Sequence, residues 1–417
     1  MTPRVVPGSV WEHVFATRAP GEAWVTLTLA APGTSWARGE AAVMALDVDG
    51  IHRQEMVLAA GDEPTEYTRS LGCRPAGPHL LRLWIDRSLS AANVEAVDLH
   101  AVNSGMIHDA DPAMPAWRHA PVLHYRDGDA PLGNASTDTP LVLFYRPVSE
   151  PGSSTPLKGI EYHVVFSHED AGTDLTGLLA KWGHTTDIEW VYRVVWDTSG
   201  TITREEFQGP GHRVVPFRGT RALGGHPVLQ VSGRHGMVMD RVSCPFRVAL
   251  TPAWMQPPDE PRESVMHRFP WTYRVSALEV VRQVALEPVA DPRRPAPADP
   301  RAYLFLQWKR RTLDMSPLEA GVRTDETWYT SAWGRAELAF EGEDAESTAV
   351  KLPAGISASD ITAIALRAVA PLPTPLEVRL VRAFFLDDNY RPRPELPAKG
   401  SATLRAPGTW ASVWERR

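Results

Sequence analysis

Proline and glycine cut this chain into short pieces. Its 417 residues include 38 prolines and 30 glycines. A proline inside a helix removes one hydrogen bond and clashes with the preceding turn, so long helices are excluded over most of the length. Between the breaks, apolar and polar residues alternate with the period of a β-strand. AWVTLTLA (23–30) alternates strictly, AAVMALDVDGIHRQEMVL (41–58) reads as a hairpin turning at Asp49-Gly50, and PAGPHLLRLWID (75–86) is a turn followed by a strand. The expected class is mainly β, in three modules: two peripheral, jelly-roll-like β-sandwiches flank a central β-rich domain with one or two helices. The peripheral pattern resembles accessory modules attached to carbohydrate-active proteins.

The first sandwich is expected over 1–110. The Pro-rich, non-periodic DADPAMPAWRHAP (109–121) marks a boundary. The central domain covers 120–290, with strands at 141–148, 160–170, 187–197, 201–208 and 226–235. TDLTGLLAKWG (173–183) predicts a helix with a Thr or Asp cap, an apolar face of Leu175, Leu178 and Leu179, and a stop at Gly183. Helical spacing also runs onward from Trp271, after Pro270. EPVADPRRPAPADPRAY (287–303) reads as a semi-rigid spacer. The second sandwich, 303–417, has strands at 302–311, 336–342, 347–353, 360–369 and 375–388.

Composition narrows the function. The length exceeds one ordinary core, and 43% hydrophobic with 22% charged residues is that of a folded, soluble chain. A net charge of −7 gives no electrostatic reason to expect nucleic acid or an anionic membrane surface. No run of about 18 apolar residues exists, so no membrane span is expected, and MTPRVVPGSVWEHVF lacks the apolar segment of a signal peptide. The compartment is not indicated. Cys73 and Cys244 are expected as buried free thiols in different domains, and two cysteines exclude a Cys-rich zinc site. The 15 tryptophans either fill cores, their commoner use, or offer flat faces for stacking on sugar rings.

The candidate chemistry centres on WGHTTDIEW (182–190). Strict alternation over 187–197 places Asp187 and Glu189 on one face with Arg193, opposite a core face that includes Trp190. His184 precedes them in a loop. Such a set suits a divalent ion (calcium, magnesium or zinc) or an acid–base couple. Alternatively, it is a solvated face on which Arg193 pairs with Asp187 or Glu189. Five of the 14 histidines (163, 168, 184, 226 and 235) fall in this stretch, in YHVVFSHED with Glu161, Glu169 and Asp170, and in GGHPVLQVSGRHG. Asp187, Glu189 and His163 are the candidate catalytic residues; His184, Asp187, Glu189 and His235 are the candidate metal ligands. HExxH, Walker, GxSxG and GxGxxG motifs are absent, and no organic cofactor is expected.

GHTTDIEW followed by a hydrophobic strand resembles the GH-x-H-D-W-E signature of necrosis-inducing (NPP1-like) proteins. HPVLQVSGRHG is similar to a strand-plus-His segment of those proteins and of the vacuolar protein sorting 62-like family. Thr186 stands in place of that signature's second His, and Ile188 in place of its Trp. The resemblance implies a divalent metal held in a β-sandwich by His184, Asp187, Glu189 and, as an extra ligand, His235, and recognition of glycosylated lipid headgroups. The leading expectation is a glycan-directed hydrolase or lyase with a carboxylate/His site in the central domain. The alternatives are a non-catalytic glycan- or glycolipid-binding protein with a divalent metal, and a structural or interaction protein of β modules.

Overall fold

The computed structural model describes residues 3–126, 138–149, 157–169, 172–233, 235–311, 315–340 and 346–416. Asp170 and residues 341–342 of the expected strand 336–342 lie outside them. Strand accounts for 46% and helix for 11%, which makes the protein mainly β. The chain folds into two compact units: Met1–Ala171 with Thr186–Met255, and Gly172–Thr185 with Gln256–Arg417.

The first unit opens with eight strands: β1 (Arg4–Val5), β2 (Trp11–Thr17), β3 (Gly21–Ala30), β4 (Val43–Val48), β5 (Ile51–Val57), β6 (Thr65–Arg74), β7 (Gly77–Ile85) and β8 (Val97–Ile107). They form two four-stranded antiparallel sheets, in the orders β1-β8-β3-β6 and β2-β7-β4-β5. In β3, Val25, Leu27 and Leu29 are buried while Thr26 and Thr28 are half-buried, as the pleat requires. Asp49 and Gly50 both take positive φ, 57° and 74°. That is the two-residue hairpin turn whose twist matches the flanking strands, and it joins β4 to β5.

Both cysteines belong to this unit and both are free, but only Cys244 is buried; Cys73 is exposed. The register of β6 against β3 shifts beside Gly72, whose φ is 76°, and residue 73 ends on the outside.

The unit continues with α1 (Met114–Arg118), β9 (Val122–His124), β10 (Pro140–Ser149), β11 (Lys158–Phe166), β12 (Ile188–Trp196), β13 (Ile202–Gly209), β14 (Arg213–Pro216), β15 (Arg221–Ala222), β16 (His226–Val231), β17 (Val238–Met239), β18 (Arg247–Val248) and β19 (Pro252–Met255). Strands β14-β13-β12-β11-β10-β19 make a six-stranded sheet, and β15-β16-β9-β18, with β17 beside β16, make a smaller one. The short α1 seats on the larger sheet, where the Tyr162 hydroxyl donates to the Ala116 carbonyl at 2.8 Å.

In the second unit, α2 (Leu175–Trp182) is capped as its sequence dictates. The Asp174 carboxylate accepts the Gly177 N–H at 2.7 Å, and Gly183 closes the helix in the left-handed region. Its Leu175 and Leu178 pack on Val280 of α4 (Trp271–Gln283), which follows α3 (Ser264–Arg268). Both segments read as helices of the central domain thus belong to the unit that contains 303–417.

The expected spacer 287–303 is also tied into this unit. The buried Lys351 ammonium donates to Glu287 at 2.8 Å and to the Ala296 carbonyl at 2.7 Å, and the Trp333 indole donates to the Pro292 carbonyl at 2.8 Å. Prolines stiffen the segment, and these bonds hold it against the fold.

Two antiparallel sheets, β23-β20-β25-β26 and β22-β21-β24-β27, complete the unit. Their strands are β20 (Tyr303–Arg310), β21 (Leu318–Thr324), β22 (Thr327–Thr330), β23 (Ser347–Lys351), β24 (Ile361–Ala368), β25 (Leu376–Phe384), β26 (Gly400–Leu404) and β27 (Ala411–Glu415). Leu304, Leu306 and Trp308 of one sheet pack with Leu318, Val322, Ile364 and Leu366 of the other in a single core. The expected strand at 336–342 is a 3₁₀ turn, Ala336–Leu338, followed by one bridge between Leu318 and Phe340.

Candidate functional site

The site is built on β11, β12 and β13 of the six-stranded sheet. Along β11 and β12, Tyr162 lies opposite Tyr192, but His163 lies opposite Trp190, so Val191 is an extra residue on β12. Such a bulge breaks the alternation that the sequence pattern assumes. Trp190 therefore shares a face with Arg193, whose guanidinium carbon sits 4.7 Å from the indole centroid. The expected placement of Trp190 opposite Arg193 is corrected by this one residue.

Arg193 pairs with neither Asp187 nor Glu189. Its Nε donates to Glu161 Oε2 at 2.7 Å, its Nη2 also donates to Glu161 Oε2, and its Nη1 donates to Glu206 at 2.6 Å. Glu161 is fully buried. Its other oxygen accepts from Arg146 Nε at 2.6 Å and from the His163 ring at 3.0 Å. Burial opposes the charge on Glu161, yet His163, Arg146 and Arg193 together hold its carboxyl well below the usual range. Glu161 is thus a locked anion, unsuited to donating a proton.

His163 is buried in this network and stacks on Phe144 with centroids 5.0 Å apart. Because His163 pairs with Trp190 and the adjacent Val164 pairs with Glu189, His163 and Glu189 project from opposite faces. The expected trio of Asp187, Glu189 and His163 does not form one site. A single register step separates its members.

A second cluster gathers at the other end of the strand. Glu189 Oε2 accepts from Gln208 Nε2 at 2.7 Å, and that amide nitrogen also meets His212 Nδ1 at 2.8 Å. The His212 ring lies 6.5 Å from the His235 ring. His235 Nδ1 sits 3.0 Å from Glu169 Oε1, with half of its side chain exposed. These contacts bring Glu189, expected from the sequence, together with His235, also expected, and add Gln208, His212 and Glu169. His212 occupies the left-handed region at φ 56°, in the turn between β13 and β14. GPGH (209–212) signals that turn, but nothing local signals its neighbours.

Asp187 is buried just before β12, its carbonyl accepting the Phe166 N–H at 2.8 Å. It faces Gly236: a Cβ there would lie 2.9 Å from Asp187 Oδ2. The Gly236 N–H in turn donates to the fully buried Asp138 at 3.1 Å. His184 is buried in the second unit, next to Thr185, whose N–H and hydroxyl both bond to Ser276. The boundary between the units thus falls inside the 182–190 stretch, between Thr185 and Thr186.

A metal implied by the resemblance needs donors that gather. Among the described residues, no group of three or more His, Cys, Asp or Glu side chains is placed to hold an ion. Glu189 is engaged by Gln208, and His235 Nδ1 by Glu169.

The tautomers follow from donor and acceptor roles. The Gln208 amide nitrogen, which also donates to Glu189, can only donate, so His212 Nδ1 accepts and the ring proton sits on Nε2. The Glu169 carboxylate can only accept, so His235 Nδ1 carries a proton. These assignments rest on the network of partners.

No helix among the described residues is long and apolar enough to cross a membrane. No family model matches the chain and no curated protein matches it. Among solved structures, a ruminal GH26 endo-β-1,4-mannanase is similar over 25% of this chain at 10% identity, with a TM-score of 0.19. This chain spans 19% of that one, and a likeness at that score carries no argument for fold or activity.

Proposed function

We propose that the first unit is a glycan-directed hydrolase or lyase working by general acid–base catalysis at the His212–His235 cluster. The observation that carries this reading is the pair of neighbouring imidazoles, each held by its own partner, with ring centroids 6.5 Å apart. His235, oriented by Glu169, acts in its neutral form as the base and then returns the proton it gains to the leaving oxygen; His212, oriented by Gln208, supplies an N–H that hydrogen-bonds the developing charge; Glu189 holds the Gln208 amide. A positioned base of this kind accounts for roughly 10²–10⁴ in rate. The glycan class comes from the tryptophan-rich β architecture and from the family resemblance. A panel of neutral and acidic polysaccharides, assayed for new reducing ends and for unsaturated products, tests the reading. His235→Ala and His212→Ala each reduce turnover at least roughly a hundredfold while the melting temperature stays near that of the parent. Undiminished turnover in both variants sinks it.

The second reading is glycan binding without turnover, favoured by the half-buried Trp190 stacked against Arg193. Retention on a glycan array, with no product from any retained glycan, would select it.

A further inference from the structure

The outer face of the β22-β21-β24-β27 sheet carries a feature that the proposed chemistry does not use. In β21, Leu318, Ala320 and Val322 point into the core, so Glu319, Gly321 and Arg323 point out. Arg323 lies opposite Trp328 of β22, and Glu319 lies opposite Arg367 of β24. Trp328 and Trp410 lie nearly parallel, 15° apart in plane, with centroids 6.0 Å apart.

Gly321 clears the floor beneath both rings. A Cβ at that position would come within 2.9 Å of Trp410 and 3.2 Å of Trp328. Arg367 stacks on Trp410 at 4.8 Å and Arg323 on Trp328 at 5.6 Å. Arg367 is anchored in turn by the fully buried Glu319, which accepts its Nε at 2.7 Å and also accepts the Gly334 N–H at 2.9 Å. Trp328 nonetheless remains 41% exposed.

A tryptophan that merely fills a core is covered. This pair is held nearly parallel beside guanidinium groups, with Trp328 exposed and Trp410 half-buried, so the ordering cost of a stacking surface is met before any ligand arrives. We infer that Trp328 and Trp410 form a binding platform for a neutral polysaccharide, which lays the apolar faces of its pyranose rings on the two indoles. Arg323 and Arg367 at the rim donate hydrogen bonds to ring hydroxyls. Neutral sugar is favoured over an acidic one because Arg367 is neutralised by Glu319 and the chain as a whole carries a net charge of −7. A nucleobase would also stack, but a chain of net charge −7 repels the phosphates that come with it. This platform lies in the second unit and does not rest on the acid–base reading of the first.

Affinity electrophoresis of the full chain tests it, in gels containing hydroxyethylcellulose (a neutral β-1,4-glucan), polygalacturonate or no polymer. The parent protein is retarded by the neutral glucan, and about 0.5 M salt leaves the retardation in place because no ion pair supports it. Trp328→Ala weakens binding roughly tenfold or more, while Trp328→Phe keeps part of it and controls for folding. His235→Ala stays retarded, so loss of the catalytic reading leaves this one standing. Absence of retardation by the neutral glucan overturns the inference. So does retardation only by polygalacturonate that salt abolishes, retardation by single-stranded DNA in its place, or equal binding by Trp328→Ala and the parent.

Discussion

Two fully buried glutamates, one in each unit, seat an arginine beneath a tryptophan. In the six-stranded sheet, Glu161 holds Arg193, which lies 4.7 Å from the Trp190 ring. In the second unit, Glu319 holds Arg367, which lies 4.8 Å from the Trp410 ring. The partners differ. Glu161 faces two arginines and His163, whereas Glu319 faces one arginine and a backbone N–H. Both indoles are half-buried, but the first lies next to a β-bulge, whereas the second lies over a glycine beside the exposed Trp328. The same charge-locked guanidinium thus serves two ends. Around Glu161 it ties three neighbouring strands together on the face opposite Glu189, and around Glu319 it fixes a surface.

That contrast can be broken, most forcefully at Glu161. Glu161→Gln leaves Arg193 and Arg146 short of a buried counter-charge, and chemical denaturation should show a loss of about 3–5 kcal/mol. Glu319→Gln strands one arginine only and should cost less, about 1.5–3 kcal/mol. Equal losses would mean that the extra partners of Glu161 contribute nothing.

Acid should separate the parent from the Glu161 variant. The folded carboxyl titrates well below its ordinary value of 4.5. Its contribution is therefore present above that value and is lost as pH falls toward the folded value. Melting temperatures between about pH 5 and 2 should fall more steeply for the parent than for Glu161→Gln.

A smaller slope belongs to His119, which stacks on Trp196 in the first unit. Burial, more than its charged neighbours, lowers its pKa from 6.5 to about 4. Between those values the unfolded chain binds a proton that the folded chain does not, so stability declines as pH drops through that window. His119→Phe should flatten the decline, read as melting temperature against pH. The smallest expected effect is none at all: dialysis against a chelator should leave the melting temperature unchanged. A fall would restore the metal reading of 182–190.

Local rules carried much of the fold. The turn at Asp49-Gly50, the Asp174 cap and the Gly183 stop each involve residues a few positions apart, and each stands where its chemistry requires. The site was less legible. Glu189 and His235 were visible as residue types in suggestive company, but their link runs through Gln208 and His212 on the next strand and turn. A single bulge at Val191 moved Trp190 to the face of Arg193, and one register step parted His163 from Glu189.

Turn chemistry and capping were determined by the sequence alone, because each depends on backbone preferences within a few residues. The tertiary structure decided which carboxylate meets which arginine, which two histidines face each other, and that 182–190 is divided between two units. Those outcomes depend on strand register and on contacts between distant segments, and a bulge of one residue is enough to reverse every face beyond it.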